Sequence, residues 1–519
     1  MQNWLGAAQV ATPLQEHALL RDPHDIISVL PPGDAVGAVT LITEALNALH
    51  KATSPTLEER YDDIYLLDGA TVERTYVLLR EYLDATRQTK QRETELWNGA
   101  YNCWDALAAA YVSCVQQYSA EKNNASGFRK LANVATARAI RALRRQLQWL
   151  RLRYAQPVPA IWIGLANLYS FIETENIDDE LLIYPGETTT IKREFLKAVV
   201  QSALSCESLQ PPGQDLAIYI VRRYSSQFVL SKTPVEGCTH WFDLKHPQAP
   251  TLIAATPAPD SGVLYFGVGG AAQAVQQALL DIEENNRVPA DLGFKYPIEL
   301  SFLTPVLTQI VRDWSGKTAE RVHERRATNA RLSVLPGFTA IVGALELAEE
   351  DPFDFTPRDD AESWVANDVS AGGFGAVLPK LAADWVTVGG VLGVEMESGA
   401  GWLVGLVRRL NRLDSGEQQL GIQILSREAS AVRMMREESS ASDLRITQRI
   451  PLDHALLLTA NPAGQQEIEL LIEDIAPYEG GQMHVLCGGR VLRIEIKEVR
   501  EKLAACSRAV FTVLGLEED

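Results

Sequence analysis

The sequence has few cysteines, and their spacing excludes two classes of protein. Six cysteines are spread over 519 residues without a CxxC pair, so a disulfide framework is not expected. Cys238 and His240 come closest to the spacing of metal ligands, but no second pair accompanies them. We favour a buried thiol beside a strand, and we predict no metal site.

The sequence also shows no pattern typical of a targeting segment or a membrane anchor. The first ten residues lack the basic start and the long apolar core of a signal peptide. No segment approaches the roughly 20 uncharged apolar residues of a membrane span. The range 386–406 comes closest, but Glu395 and Glu397 interrupt it. We therefore expect a cytoplasmic protein without a transmembrane segment.

Positive charge is scarce in this chain. It has 48 Lys and Arg against 67 Asp and Glu, a formal net charge of −19. Such a balance argues against extended binding to DNA or RNA, because neutralisation of phosphates dominates that affinity. Any local cluster of basic residues then stands out and requires a local explanation.

Length and patterning predict an α+β multidomain fold. Apolar residues of the first half recur at helical spacing, which predicts a helical bundle or solenoid-like array. Further on, short strands with Gly-rich turns, Phe338–Leu345 among them, predict a small antiparallel β-barrel and more β structure after it. The predicted domains are 1–225 (helical interaction or output domain), 226–318 (mixed α/β connecting region), 319–427 (β-barrel) and 428–519 (C-terminal β-rich domain).

One predicted helix, over 129–154, carries eight basic residues and no acid. They are Arg129, Lys130, Arg138, Arg141, Arg144, Arg145, Arg151 and Arg153. The helix could present a basic face to an acidic partner or a membrane surface. We favour a solvated face balanced by acids of neighbouring helices, because the acidic chain supplies many of them.

A glycine-rich segment would also suit an enzyme that binds a dinucleotide cofactor. Gly267, Gly269 and Ala272 satisfy the G-x-G-x-x-G/A dinucleotide fingerprint between a predicted strand and a predicted helix. The fingerprint also needs a strand ending in an acid about 20 residues on, where this chain has a loop-like stretch with Pro289. A tight strand-to-helix turn explains the glycines as well, and we favour it.

The most informative feature is an arginine cluster followed by a polar, glycine-rich segment. Asp368, Ser370 and Gly373 fit the pattern DxSxxG. Arginine binds phosphates bidentately and reads the O6/N7 edge of guanine. Asp and Ser can accept from guanine N1–H and N2–H₂, although the same residues also suit an ordinary β-turn. The clustered arginines are Arg321, Arg325, Arg326 and Arg331. Together the two segments predict a small anionic guanine nucleotide.

This arrangement resembles PilZ domains, the bacterial receptors of the second messenger cyclic di-GMP. Their signature is an arginine-containing loop, usually RxxxR, that leads into a β-barrel and is followed by [D/N]xSxxG. The resemblance covers roughly 320–427, where the segments 401–409 and 420–425 look like the closing strands of that family. It implies a nucleotide-binding β-barrel over that range.

The resemblance also implies which residues hold the ligand. In the family, the loop arginines contact guanines and phosphates, and the Asp and Ser bind a guanine edge. It therefore assigns Asp368, Ser370 and Gly373 to the site. Among the arginines we expect Arg325 and Arg326 to bind, with Arg321 and Arg331 as alternates.

The sequence thus predicts a non-enzymatic, cytoplasmic bacterial effector of cyclic di-GMP, with no cofactor besides this ligand. The ligand is expected to order the arginine loop and to alter contacts of the helical domain with a protein partner. One alternative is a structural adaptor whose PilZ-like barrel binds no nucleotide. A weaker one is a dinucleotide-dependent enzyme that uses Gly267, Gly269 and Ala272.

Overall fold

The computed structural model describes residues 22–84, 89–121, 126–184, 187–255, 257, 262–316, 324–350, 360–378, 385–397, 401–413, 415–436, 453–460, 462, 464–487 and 490–517. Over these ranges the chain forms the predicted α+β multidomain architecture. A helical region comes first, a small mixed segment follows, and two closed six-stranded antiparallel barrels come last.

One apolar core runs through the helical region. Side-chain caps fix where several helices begin. Thr56 accepts from the amide of Glu59, and the Glu59 carboxylate accepts from the amide of Thr56. The helices of the described ranges are α1 (Pro23–Ser28), α2 (Ala35–Lys51), α3 (Leu57–Leu83), α4 (Lys90–Glu121), α5 (Arg129–Leu152), α6 (Pro159–Glu175), α7 (Ile191–Ser202), α8 (Pro211–Tyr224), α9 (Ala271–Asn285), α10 (Leu300–Trp314) and α11 (Gly337–Glu350). A hairpin of β1 (Leu181–Tyr184) and β2 (Glu187–Thr190) precedes α7.

Helix α5 carries the basic residues and lies among other helices. Arg138 forms an ion pair with Asp68 of α3, and Arg153, just after α5, pairs with Glu93 of α4 at 3.1 Å. Acids of neighbouring helices thus pair with some of these basic residues, as expected. The prediction of a solvated face is wrong, because α5 packs against α4, α6, α7 and α8 and Arg144 is only 3% exposed.

A buried charge network joins α5, α7 and β2. Lys197, 0% exposed, donates to Glu194 at 2.7 Å and also pairs with Glu187. Arg144 lies 3.9 Å from Glu194. Burial by itself raises the pKa of Glu194, but the charges of Lys197 and Arg144 outweigh it and hold that pKa below its ordinary value. The negative charge of Glu194 is therefore kept inside the protein by its two cations.

A four-stranded antiparallel sheet contains the glycine-rich segment. In sheet order its strands are β3 (Val229–Ser231), β6 (Val263–Gly267), β4 (His240–Asp243) and β5 (Thr251–Leu252). A Cβ on Gly267 would lie 1.9 Å from the carbonyl oxygen of Gly237, and one on Gly269 would lie 2.3 Å from that of Gln227. Close backbone approach explains these glycines. The dinucleotide fingerprint with Ala272 lacks its parallel βαβ unit here, because β6 pairs antiparallel with both neighbours.

Two closed barrels follow, each around an apolar core of its own. Around the first, the order is β7 (Arg326–Pro336), β8 (Glu362–Ser370), β9 (Gly373–Leu378), β12 (Gln418–Ser426), β11 (Leu403–Arg412) and β10 (Val391–Met396), which pairs with β7 again. Around the second, it is β13 (Ser430–Arg436), β14 (Asp453–Leu457), β15 (Glu467–Ile472), β18 (Ser507–Glu517), β17 (Arg490–Lys502) and β16 (Gln482–Cys487). Closure pairs every strand of a barrel on both sides, so neither barrel has an edge strand. The limits predicted for the four domains stay predictions.

Helix α11 replaces a predicted strand and fills the space between the barrels. The apolar run Phe338–Leu345 is helical, and the strand prediction is wrong. Its buried residues are Phe338, Ile341, Val342 and Leu345, which pack in a core shared by both barrels. Their spacing of three and four residues is typical of a helix. Other apolar residues lie between them, so this period is not recognisable in the sequence.

Tyr154 connects the helical region to the first barrel. It follows α5 with a φ of +58°, and its buried side chain packs in the core of the first barrel. Its hydroxyl donates to the carbonyl of Leu209 at 3.0 Å, and its own carbonyl accepts from the amide of Arg412 on β11 at 2.8 Å. Beside it, Gln156 donates to Asn411. Strand β11 is therefore a contact of the first barrel with the helices.

Other expectations concern cysteines, metals and membranes. All six cysteines lie in the described ranges and are free thiols. Among the described residues, no group of three or more His, Cys, Asp or Glu is placed to hold a metal ion. In the same ranges no helix has both the length and the apolar character to cross a membrane.

We expect Lys197→Met to destabilise the protein by about 3–5 kcal/mol near neutral pH, because Glu194 loses its closest cation inside the protein. The lowered pKa of Glu194 means that its stabilising contribution is present above the unfolded pKa and is lost as the pH falls through the folded one. The loss in the variant should therefore shrink toward pH ~4.5, where a protonated Glu194 needs no cation.

Urea unfolding of Lys197→Met at neutral pH and at about pH 4.5 measures this change. The Glu194→Gln/Lys197→Met double variant is the control, since it removes both charges and should show a weaker pH dependence than the single variant. Identical pH dependence of the two variants would contradict the prediction.

Candidate functional site

The DxSxxG residues lie where β8 ends and β9 begins, on the first barrel. Asp368 and Ser370 belong to β8, and the two residues before Gly373 form the turn. Asp368 and Ser370 therefore lie on a strand rather than in the ordinary β-turn that their residue types also suit. Within β8, residues two apart share a face of the sheet, so these two side chains point the same way.

That face is the outside of the barrel. Asp368 pairs with Gly375 of β9, and Phe374 and Ala376 on either side of Gly375 pack in the barrel core. Because successive residues of a strand alternate between faces, Gly375 and its partner Asp368 face outward. The candidate site is thus reachable from outside the barrel.

A β-bulge brings a second polar side chain to Asp368. Ala366 pairs with Ala376 and Asp368 with Gly375, so Asn367 is the extra residue of β8. A Cβ on Gly375 would lie 2.5 Å from Oδ2 of Asp368 and 2.7 Å from Oδ1 of Asn367. The bulge and the missing side chain of Gly375 together let two oxygen-bearing groups lie over the same bare backbone.

Arg325 reaches this group. Its Nη1 donates to Oδ2 of Asp368 at 3.1 Å, and the side chains are 44% and 26% exposed. A guanidinium and a carboxylate that meet at a surface exchange partners readily, since such a pair is worth only about 0–1 kcal/mol. The pair therefore places the guanidinium donors and the carboxylate acceptor side by side, and both groups stay free to bind a ligand.

The other arginines of the cluster differ in their placement. Arg326 and Arg331 belong to β7 rather than to a loop; they are exposed, and neither has a hydrogen-bond or ion-pair partner among the described residues. Arg326 pairs with Val369 at the end of β8, whereas Arg331 pairs with Val365 farther along it. Val369 packs against the barrel core, so Arg326 faces the opposite side of the sheet from Asp368, whereas Arg331 shares the outer face with the exposed Val365. Arg321 lies outside the described residues.

Ser370 and Gly373 hold the turn. The Ser370 hydroxyl donates to the carbonyl of Gly373 at 3.3 Å, which leaves the lone pairs of its oxygen available as acceptors. A Cβ on Gly373 would lie 1.9 Å from the carbonyl oxygen of Ile422, so close packing on β12 requires glycine there. Arg427 also donates to the carbonyl of Ala371 at 3.2 Å.

Asn367, Gly375 and Arg427 were missed by the sequence reasoning. The bulge that turns Asn367 outward is set by pairing between strands, and strand alternation alone would place it opposite Asp368. Gly375 had a local signal, because it lies two residues after Gly373 on the same strand. Arg427 follows β12, whose neighbour is β9, so only the strand order brings it to the turn.

The arrangement can bind a polar, anionic and planar molecule. Arg325 offers a forked donor to a phosphate or to a guanine O6/N7 edge. Asp368, Asn367 and Ser370 offer acceptors for the N–H groups of a base. These side chains suit recognition of a nucleotide from one face, and they account for the pattern that the sequence analysis singled out.

Asp368→Ala should change the free energy of unfolding by less than about 1 kcal/mol, because Asp368 and its partner Arg325 are both partly exposed. Urea unfolding monitored by tryptophan fluorescence checks this expectation. Asp243→Ala is the contrasting variant: that carboxylate is buried and accepts from the amides of Lys245 and Gly262, so its loss should be the more damaging one. A large destabilisation by Asp368→Ala would mean that this residue has a structural role.

Comparison with known proteins identifies similarity in the other half of the chain. Residues 4–234 match the family model described as "Cyclic-di-GMP receptor FimW, N-terminal domain". No curated protein matches the chain. The matched range ends well before the first barrel begins at Arg326, so the match is independent of the residues just described. The helical region of this chain is thus similar to the N-terminal domain of a cyclic-di-GMP receptor.

Proposed function

We propose that this protein is a cytoplasmic bacterial effector that binds cyclic di-GMP on the first barrel. The observation that carries the proposal is the convergence of Arg325, Asn367, Asp368 and Ser370 on the outer face around Gly375. Phosphate and guanine need donors and acceptors in one accessible place, and these residues offer both. We assign no enzymatic activity and no binding of DNA or RNA.

The match to the FimW N-terminal domain supports the ligand independently. It covers 4–234, whereas the proposed site lies on the first barrel. Two separate parts of the chain therefore suggest the same second messenger, one through similarity and one through side-chain chemistry. We further propose that the first barrel is a PilZ-like domain, on the strength of its closed antiparallel strands and its DxSxxG segment.

The ligand residues that we propose are Arg325, Arg326, Asp368, Ser370 and Gly373, with Arg321 and Arg331 as alternates. Arg325 now binds Asp368, so a ligand would take over both groups. The guanidinium would turn to a phosphate or a base, and the carboxylate would accept from guanine N–H groups. Gly373 acts through the backbone, because it lets β9 approach β12 closely.

We propose that ligand binding orders the segment around Arg325 and alters contacts of the helical region with a protein partner. The first barrel meets the helices at Tyr154 and at the Gln156–Asn411 hydrogen bond. Binding of a phosphate neutralises the positive charge of this segment, so the segment can adopt one conformation without ligand and another with it. The site and the helices are thus parts of one connected body through which such a change can pass.

A structural adaptor without ligand is the second candidate function. The Arg325–Asp368 ion pair favours it, because each group already satisfies the other without a nucleotide. The core that joins α11 to both barrels also suits a protein whose role is to hold modules together. The adaptor predicts no binding of cyclic di-GMP.

Calorimetric titration with cyclic di-GMP tests the proposed site. We expect micromolar binding by the native protein and a loss of at least about 10-fold in affinity for Arg325→Ala/Arg326→Ala, since charged hydrogen bonds contribute about 1.5–3 kcal/mol each. Arg490→Ala is the matched control, because Arg490 is an exposed strand arginine of the second barrel. Binding that survives the double substitution would move the site to Arg321 and Arg331, and no heat with native protein would favour the adaptor.

Small-angle scattering tests the conformational part of the proposal. Saturating cyclic di-GMP should change the scattering profile of the native protein and leave that of Arg325→Ala/Arg326→Ala unchanged, because only the first can bind through these arginines. An identical profile with and without ligand, in a sample shown by calorimetry to be saturated, would refute the switch while leaving the binding proposal intact.

A further inference from the structure

Helix α3 carries a row of exposed apolar residues around a glycine on its outer side. Tyr65, Val72 and Tyr76 are 47%, 37% and 59% exposed, and Gly69 between them is exposed as well. Their spacing keeps all four on one side of the helix, and we call them the α3 seam. The opposite side of α3 packs in the core of the helical region. Single apolar residues are common on a surface, whereas a row at this spacing is typical of contact with another helix.

Gly69 lies in the middle of α3 without a reason inside the described chain. Glycine is among the least favourable residues for the interior of a helix. A Cβ at Gly69 would meet nothing within 4 Å, so packing against the described residues does not require glycine there. A Cβ at Gly99 of α4, by contrast, would lie 3.2 Å from Val39 of α2. A glycine on an exposed seam allows the backbone of a second helix to approach closely.

The ring of Tyr65 is held in place although it is partly exposed. It stacks on the ring of Tyr61, with centroids 5.9 Å apart. The guanidinium carbon of Arg138 lies 4.5 Å from the centroid of the Tyr65 ring. A side chain that is already ordered loses little freedom when a partner binds, so this part of the seam is prepared for a contact.

The charged side chains beside the seam differ in sign between its two ends. Asp62 precedes the seam and Arg80 follows it, and helical spacing places both on the side of α3 that carries the seam. Both are exposed, and neither side chain has a hydrogen-bond or ion-pair partner within the ranges that the structure describes. Glu73, between them, pairs with the neighbouring Arg74 at 3.3 Å. The unpaired charges are therefore an acid at one end and a base at the other.

This pattern is complementary to itself in the antiparallel direction. Two helices that pack antiparallel through the same face pair residues that lie equally far on either side of one point of the helix. Tyr65 and Tyr76 are equally far from the point between residues 70 and 71, and so are Gly69 and Val72. The charged residues at the two ends have nearly the same midpoint. A second copy of α3 would therefore set ring against ring, glycine against valine, and acid against base.

We propose that two copies of this protein form a dimer in which their α3 seams pack antiparallel, with Asp62 of each copy paired with Arg80 of the other. The face between these two residues is about 27 Å long. A contact along one helix of this length is smaller than the roughly 800 Å² per partner of a standard interface. The dimer is therefore weak, with a micromolar dissociation constant. The inference does not depend on a ligand of the first barrel.

Sedimentation velocity of the full chain without nucleotide tests the contact. Between about 1 and 100 μM the native protein should change reversibly from monomer to dimer. Gly69→Gln adds a neutral side chain that meets no described residue, and we expect at least about 10-fold weaker dimerisation because the two helices can no longer approach closely. Glutamine favours a helix more than glycine does, so the melting temperature of the dilute monomer should rise. Opposite effects on dimerisation and on monomer stability would show that the glycine serves the contact.

Charge reversal tests the antiparallel arrangement. Asp62→Arg and Arg80→Asp should each weaken the dimer about 10-fold at low salt, since two attractive pairs become repulsive in each dimer. An equimolar mixture of the two variants should form heterodimers, and the double variant Asp62→Arg/Arg80→Asp should dimerise like the native protein. Glu283→Arg, which reverses an exposed acid of α9, is the matched control and should leave the dimer unchanged.

The outcomes separate this inference from the proposed function, because none of them involves cyclic di-GMP. A native protein that stays monomeric at about 100 μM overturns the dimer and leaves the α3 seam to a different protein. A native dimer whose affinity is unchanged in Gly69→Gln also overturns it, because the contact then lies elsewhere. If neither the mixture nor the double variant restores dimerisation, the antiparallel arrangement is wrong.

Discussion

The cations of α5 constrain how the helical region can be built. A guanidinium or ammonium removed from water without a partner costs several kcal/mol, so each helix that packs on α5 has to bring an acid or a carbonyl to the right place. Asp68 meets Arg138, and Glu194 faces Arg144 while it binds Lys197. An apolar face could slide against its neighbours, whereas these pairs fix the axial position of α3 and α7 relative to α5.

The same helix sets where the first barrel sits. Tyr154 directly follows Arg153, leaves the helix in a left-handed conformation and inserts into the barrel core. Gln156, two residues further on, donates to Asn411 of β11. The ordered charges of the helical region and the outer face of the first barrel are thus linked through a short path of packed residues. Packed residues of this kind are one physical route by which two sites of a protein can be coupled.

Some residues of the candidate site could be predicted from the sequence, and others could not. Asp368, Ser370 and Gly373 could be proposed from the sequence because they are close together in it and because their residue types fit a specific pattern. The orientation of Asn367 was not, since it depends on a bulge between β8 and β9. The placement of Arg331 also depends on pairing: a second irregularity, in β7, decides which residue of β8 it opposes. Residue types in the sequence suggest which side chains could bind a ligand, and the register of the strands decides which of these side chains lie next to one another.

By itself, the sequence determined the α+β architecture, the division into helical and β-rich halves, and the chemical character of the arginine and DxSxxG segments. These properties follow from periodicity and residue type, which act over a few residues. Only the tertiary structure decided that Phe338–Leu345 is a helix between two barrels, that Arg144 is buried beside Glu194, and that Asn367 joins Asp368 over Gly375. The last two depend on the order of helices and strands in space. Contacts between segments far apart in the chain are set by how whole elements pack, because burial and pairing energies are summed over the entire core.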